Sequence, residues 1–442
     1  MGVKKALFLS CLPLLLATGL FAAWEPGEPV VTYGDGPGGP EVGPGGPRLS
    51  RLTDAWLLQL KEGGFNTVWA TAPDELDLAA RHGVRAIYFL DPNTMKSRYD
   101  ISDPGQAAAL ETRINRVKSH PALYVYALYD EPSAREFAAL ARLKEFVRRL
   151  DPEHAVWVNL NPIYANVRHL GTEGDRVHAY WDHLRLFGEV FRPDFLSYDN
   201  YQFRVQGDRN DYLQNLGMIR QSATAQGIPF WNGVQACSWV PGEAASPKSP
   251  RIPGPDEMRF LVHSTAAYGA QGIYYYVYFA NGHRGTIVAP DGTPDAKFAV
   301  LKTLNRAFVS IARELRPLRF AGAYLHGIHA PGTAPYCEQA LLCLAPEAPS
   351  GELQPLQELT GTTLVTRFDA PGRPTHLMVV NCDYRTDRTL HVTAPSSVER
   401  FDALERRWSP VGDAFDLALM RGSGVLLRLK PDVAEDVSSR SK

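Results

Sequence analysis

Short apolar runs rich in β-branched and aromatic residues alternate with helix-periodic segments along most of this chain, and that alternation restricts the fold more than any other feature. Strand patterns fall at 30–33, 65–70, 84–90, 124–129, 154–159, 195–201, 229–234 and 272–279. Helical periodicity occupies 52–62, 74–82, 106–119 and 133–150, and the last of these carries Phe137, Leu140, Leu143, Val147 and Leu150 on one face. Regular alternation implies right-handed βαβ units and a parallel sheet, and eight such units can close into a (β/α)8 TIM barrel. A doubly wound open sheet is the structural alternative. It is disfavoured because the Gly/Pro-rich stretch at 34–47 is a loop and not a phosphate-binding fingerprint.

The remaining segments divide in the same way. Lys4 and Lys5 precede an almost wholly apolar run to Ala23, which reads as a signal peptide over 1–23 and predicts a secreted or periplasmic protein. The barrel is expected over 24–316. From 317 to 431 short apolar stretches alternate with turn-rich segments, predicting a C-terminal β-sandwich, and 432–442 reads as a disordered tail. With 21% charged residues and a net charge of -2, nothing points to nucleic acid, nor to a membrane once the signal is removed. The five cysteines do not form a disulfide framework, although Cys337 and Cys343 are spaced to close a small loop. Neither a metal site nor a cofactor is expected, and the chain does not reveal its oligomeric state.

Chemistry concentrates where the fourth strand runs into Asp130, Glu131 and Pro132. Proline ends the strand, and Ser133 with Glu136 forms a capping box for the next helix, so both acids occupy a strand's carboxyl end, the active face of a barrel. An acidic turn before a helix would look the same. The position resembles that of the clan A glycoside hydrolases, whose general acid/base Glu follows an Asn at the end of strand four, often before Pro; here Asp130 replaces the Asn. The resemblance spans residues 28–316 and implies a carbohydrate substrate with Glu131 as general acid.

Glycoside cleavage also requires a group that meets the oxocarbenium-like centre. In clan A that group is a Glu ending strand seven, where this chain has Gln235, and a neutral amide cannot form a glycosyl ester. Glu243 follows in a Pro/Gly loop. Two other sources exist. Asp199, at the tip of strand six, can activate water and give inversion. Alternatively Asp130 works beside Glu131, as in the substrate-assisted hexosaminidases of families 20 and 123, whose adjacent Asp-Glu pair this one resembles; there the Asp orients a substrate acetamido group. The acetamido route is slightly preferred. It requires the backbone to turn at Glu131, because strict alternation sends adjacent side chains to opposite faces.

Aromatic residues gather at the same strand ends: Trp69, Tyr88, Tyr129, Tyr198, Tyr201, Trp231, Trp239, Tyr276 and Tyr278. About half are expected in the core. Tyr201, Trp239 and Tyr278, with Tyr198, are expected to meet sugar, and Gln235, Asp91 and Asn159 or Asn161 to bind hydroxyls. A non-catalytic carbohydrate-binding barrel protein is the competing class.

Overall fold

The computed structural model describes residues 24–40, 50–240, 245–326, 361–373 and 375–429, with backbone alone at 42–43, 46–47, 334–335 and 343–346. The expected signal peptide, the tail, Glu243 and Cys337 lie outside these residues, as does the side chain of Cys343.

Eight strands form one parallel sheet: β1 (Val30–Tyr33), β2 (Thr67–Ala70), β3 (Arg85–Phe89), β4 (Leu123–Asp130), β5 (Ala155–Leu160), β6 (Leu196–Asn200), β7 (Phe230–Gln235) and β8 (Gly272–Tyr276). Helices follow them in turn: α1 (Asp54–Glu62), α2 (Pro73–Arg81), α3 (Pro104–Asn115), α4 (Phe137–Leu150), α5 (Arg176–Leu186), α6 (Tyr212–Gln226), α7 (Pro255–Ala267) and α8 (Ala296–Leu315). Hydrogen-bonded order runs β1-β8-β7-β6-β5-β4-β3-β2. Asn66, just before β2, closes the ring by donating its backbone N–H to Val31 O at 3.1 Å and accepting the Val31 N–H on Oδ1 at 2.9 Å. The fold is a TIM barrel.

Strand alternation sorts the side chains. On β6, Ser197 and Asp199 face the interior, while Asn200 faces α6 and donates to Asn215 at 2.9 Å. On α4 the buried residues are Phe137, Leu140, Leu143, Lys144 and Val147, the stripe read from periodicity, with Leu150 partly buried at its end. Aromatics fill the lower barrel: Trp231 packs on Tyr124, Phe195 and Trp157 with ring centroids 4.2–6.2 Å apart.

Beyond α8 lies an antiparallel sheet of β9 (Arg319–His326), β10 (Thr363–Asp369), β11 (Thr375–Asn381), β12 (Arg388–Asp402), β13 (Arg407–Leu419) and β14 (Gly424–Leu429). The β12 ladder with β13 loses register between Thr393 and Val398. A strand interrupted in this way bends. Its first part, with the end of β13, therefore folds over β10, β11 and β14, and Leu390, Val392, Leu417 and Leu419 share a core with Val365, Leu377, Val379 and Leu427. This is the β-sandwich. The alternate residues Leu364, Phe368, Met378, Val380 and Leu426 face the other way and join the barrel core.

Candidate active site

Two departures from regular strand geometry build the site. Along β4 and β5, Val125 pairs with Ala155 and Ala127 with Trp157, but the register then shifts, so that Tyr129 meets Val158 and Asp130 meets Asn159. Without that bulge, alternation would turn Tyr129 inward. The extra residue brings Asp130 to the interior and sends Tyr129 outward, where its hydroxyl donates to Glu136 Oε1 at 2.6 Å and accepts from Arg98 at 3.2 Å. Glu131 then adopts φ +52°, a left-handed conformation that side chains other than Gly seldom take. Its N–H donates to Asn159 O at 2.8 Å, and Asn161 Nδ2 donates to the Pro132 carbonyl at 3.2 Å, so neighbouring groups hold the strained turn in place. Adjacent carboxyls consequently face one cavity.

That cavity, about 320 Å3, has Asp130, Glu131, Asn159 and Asp199 among its polar residues. Asn159 Nδ2 donates to both Asp130 Oδ1 (3.1 Å) and Asp199 Oδ2 (3.0 Å). Its Oδ1 accepts from Ser197 Oγ (3.1 Å) and from Tyr274 OH (2.8 Å). Four partners leave the amide one consistent orientation. Tyr201 OH adds a bond to Asp199 Oδ2 at 3.1 Å, whereas Asp199 Oδ1 is buried with no hydrogen-bond partner. Tyr201, Trp239 and Tyr276 form an aromatic wall with centroids 5.1–5.4 Å apart, and Trp157 and Tyr164 line the cavity too.

Burial raises all three carboxyl pKa values. Glu131 is pushed up to about 7, first by desolvation and then by the neighbouring Asp130 charge, against a smaller opposing effect of Lys96. Asp130 also moves upward through burial, which outweighs its bond from Asn159. Asp199 lies well above the usual carboxylate range because it is desolvated and faces both Glu131 and Asp130; its bonds from Asn159 and Tyr201 favour the anion. The three groups titrate as a set. Among the described residues no His, Cys, Asp and Glu cluster is arranged to hold a metal ion.

The other residues singled out in the sequence are placed as follows. Gln235 points inward by strand parity but is fully buried. Its Nε2 donates to the carbonyls of Phe203 (3.1 Å), Cys237 (3.3 Å) and Arg251 (2.7 Å), and its Oε1 accepts the Phe203 N–H, so it staples loops to the tip of β7 and is not among the residues lining the cavity. Tyr278 is core: β8 ends at Tyr276, and the ring turns down among Tyr33, Trp56 and Phe65, with its hydroxyl on Gln59. Tyr198 is buried and, opposite in parity to Asp199, lies outside the cavity lining. Asp91 caps its own turn by accepting the Asn93 N–H at 2.9 Å. Trp157, Tyr164, Arg204 and Tyr274 were not anticipated. Trp157 was the most accessible of them, two residues before Asn159 and so on the same strand face.

No protein-family model and no curated protein matches the chain. Among solved structures it is similar to a family 5 glycoside hydrolase from Bacteroides vulgatus, at 13% identity and TM-score 0.49 over 85% of each chain. A family 39 glycoside hydrolase from Bacteroides cellulosilyticus matches at 11% identity and TM-score 0.45, over 85% of this chain and 77% of that one. A GH2 β-galacturonidase from Eisenbergiella tayi matches at 14% identity and TM-score 0.41, over 63% of this chain. The present chain spans about half the length of that last protein (51%). At these scores the barrel assignment rests on the strand order and closure described above.

Proposed function

We propose that the protein is an exported glycoside hydrolase acting on an oligo- or polysaccharide, with Glu131 as general acid. The observation that carries this reading is the bulge and left-handed turn that bring Asp130 and Glu131, adjacent in sequence, into one aromatic-walled cavity with Asp199. Glu131, raised to about 7, keeps its proton near neutrality and can pass it to the leaving oxygen as the glycosidic C–O bond breaks. Asp199 presents a buried Oδ1 with no partner while Asn159 and Tyr201 hold Oδ2. Once ionised, the form that the Asn159 and Tyr201 bonds favour against the burial that raises its pKa, Asp199 can take one proton from a water whose oxygen bonds to the anomeric carbon, giving inversion. Gln235, locked among backbone carbonyls, contributes no nucleophile.

A second reading has its own observation. Asp130 shares the bend with Glu131 and is held by Asn159 through one oxygen, which suits it to orient a substrate acetamido group. The product would then have retained configuration. A non-catalytic carbohydrate binder would keep the aromatic wall but would have no use for a carboxyl raised toward neutrality. The purified chain without residues 1–23, screened against glycans and aryl glycosides with NMR of the first-formed anomer, tests all three. Inversion supports the Asp199 route, retention confined to 2-acetamido sugars supports Asp130, and binding without cleavage supports the binder.

A further inference from the structure

Arg204 is a cation in the wall of this cavity, and among the described residues no carboxylate pairs with it. Its neighbourhood explains why. Asp208, the acid nearest to it in sequence, is held by Arg251 through both oxygens (3.1 and 3.2 Å) and by the Tyr384 hydroxyl. Asp211 is taken by Arg209 at 2.6 Å and Arg176 at 2.9 Å, and Glu257 by Arg251 at 2.5 Å. The Arg204 backbone is fixed at two points: its N–H donates to Asp208 Oδ1 at 3.2 Å, and it forms a β-bridge with Pro250. The guanidinium carbon lies 5.7 Å from the centre of the Tyr164 ring, which also lines the cavity.

A half-buried guanidinium on a fixed backbone, backed by an aromatic ring and with no carboxylate partner among the described residues, is arranged to receive a planar or tetrahedral anion through paired N–H donors. A neutral sugar would leave that charge desolvated and unpaired, at a cost in binding. Resting on the glycoside hydrolase reading of the same cavity, we propose that the substrate carries an anionic group on the sugar, a uronate carboxylate or a sulfate ester, which Arg204 binds while Glu131 addresses the glycosidic oxygen. Burial lowers the Arg204 pKa, and the neighbouring Arg209 charge adds to that, against the opposing influence of Tyr164 and Asp211.

The test uses matched aryl glycosides of gluco and galacto configuration, each as the neutral hexoside, the uronide and the 6-sulfate, with wild-type protein, Arg204→Gln and Arg204→Lys. Far-UV circular dichroism and thermal unfolding check the folding of both variants. The wild type is expected to favour one anionic form by about 10- to 100-fold in kcat/KM, as a charge-assisted hydrogen bond would give; Arg204→Gln should collapse that ratio and Arg204→Lys should restore part of it. Whichever arm carries the preference identifies carboxylate or sulfate. Neutral hexosides cleaved as well as both anionic forms would overturn the inference and leave the hydrolase reading standing. If no glycoside is cleaved, calorimetry with oligouronides and sulfated oligosaccharides decides: binding lost in Arg204→Gln supports the anionic site although the catalytic reading fails, and absence of binding ends both.

Discussion

The Tyr274 hydroxyl crosses the barrel from β8 to donate to Asn159 Oδ1 on β5 at 2.8 Å. Together with Ser197 Oγ–H it saturates that oxygen, which commits the Asn159 amide nitrogen to the two aspartates. Gly233, paired with Tyr274 in the ladder, leaves room for the ring: a Cβ there would stand 2.1 Å from the Tyr274 ring carbon.

Tyr274→Phe is therefore expected to lower kcat by about tenfold while costing about 1 kcal/mol of stability, the usual worth of one hydrogen bond. Gly233→Ala should cost about 1–3 kcal/mol through overpacking and reduce kcat as well, because the ring must move. Urea unfolding and steady-state kinetics of both variants check this; unchanged kcat in both would show that the orientation of Asn159 does not matter.

The pH dependence follows from Glu131. Its carboxyl must be protonated to act as an acid, so kcat/KM should fall as pH rises through about 7. Asp130 is the second cause of the upward shift, and Asp130→Asn removes a negative neighbour. The alkaline limb should then move to lower pH. For stability the sign is as follows: a carboxyl raised by burial is neutral in both states at low pH, and the unfolded chain ionises first as pH rises. Glu131→Gln should consequently gain in Tm relative to wild type at pH 8 and gain little at pH 4. Equal differences at both values would contradict a raised pKa.

Gln235→Glu places a carboxylate where clan A enzymes have their nucleophile, yet the site offers it three backbone carbonyls and a single N–H. A loss of about 3 kcal/mol is expected, as for an unsatisfied buried charge, with no retaining activity gained. A stable, retaining variant would show that β7 can host the nucleophile.

Under oxidising conditions Cys337 and Cys343 are expected to form a disulfide, since the short loop can bring their Cα atoms within about 7 Å. Mass spectrometry of non-reduced digests should yield the linked peptide; free thiols at both positions would remove the idea. Cys237 and Cys382 are buried free thiols.

Barrel strands were legible in the sequence because β-branched and aromatic runs are interrupted by helical periods, and β1 matches its expected bounds of 30–33. The start of β2 was placed at residue 65 instead of Thr67 because Asn66, which closes the ring, carries no local mark of that role. The run 272–279 reads as one strand, but the ladder ends at Tyr276, where tertiary packing takes Tyr278 into the core. The position of Asp130 and Glu131 at a strand's carboxyl end could be read from Pro132 and the capping box. The bulge that aligns Asp130 with Asn159 has no side-chain signature. Gln235 had the right strand parity, and its covering loops at Phe203 and Arg251 lie 32 and 16 residues away, beyond any local pattern. Tyr274 was hidden within three consecutive tyrosines, which periodicity cannot assign to a face; Gly233 on the neighbouring strand was the available clue.

Glu131→Gln tests the central claim most directly. The variant replaces the carboxyl with a carboxamide of the same size and removes the transferable proton, so turnover of a natural glycan, whose leaving alkoxide needs protonation, should fall by about 10²–10⁴-fold. An activated aryl glycoside with a good leaving group should lose far less. Full turnover of the natural glycan by a correctly folded Glu131→Gln protein would contradict the assignment of Glu131 as the general acid and with it the proposed mechanism.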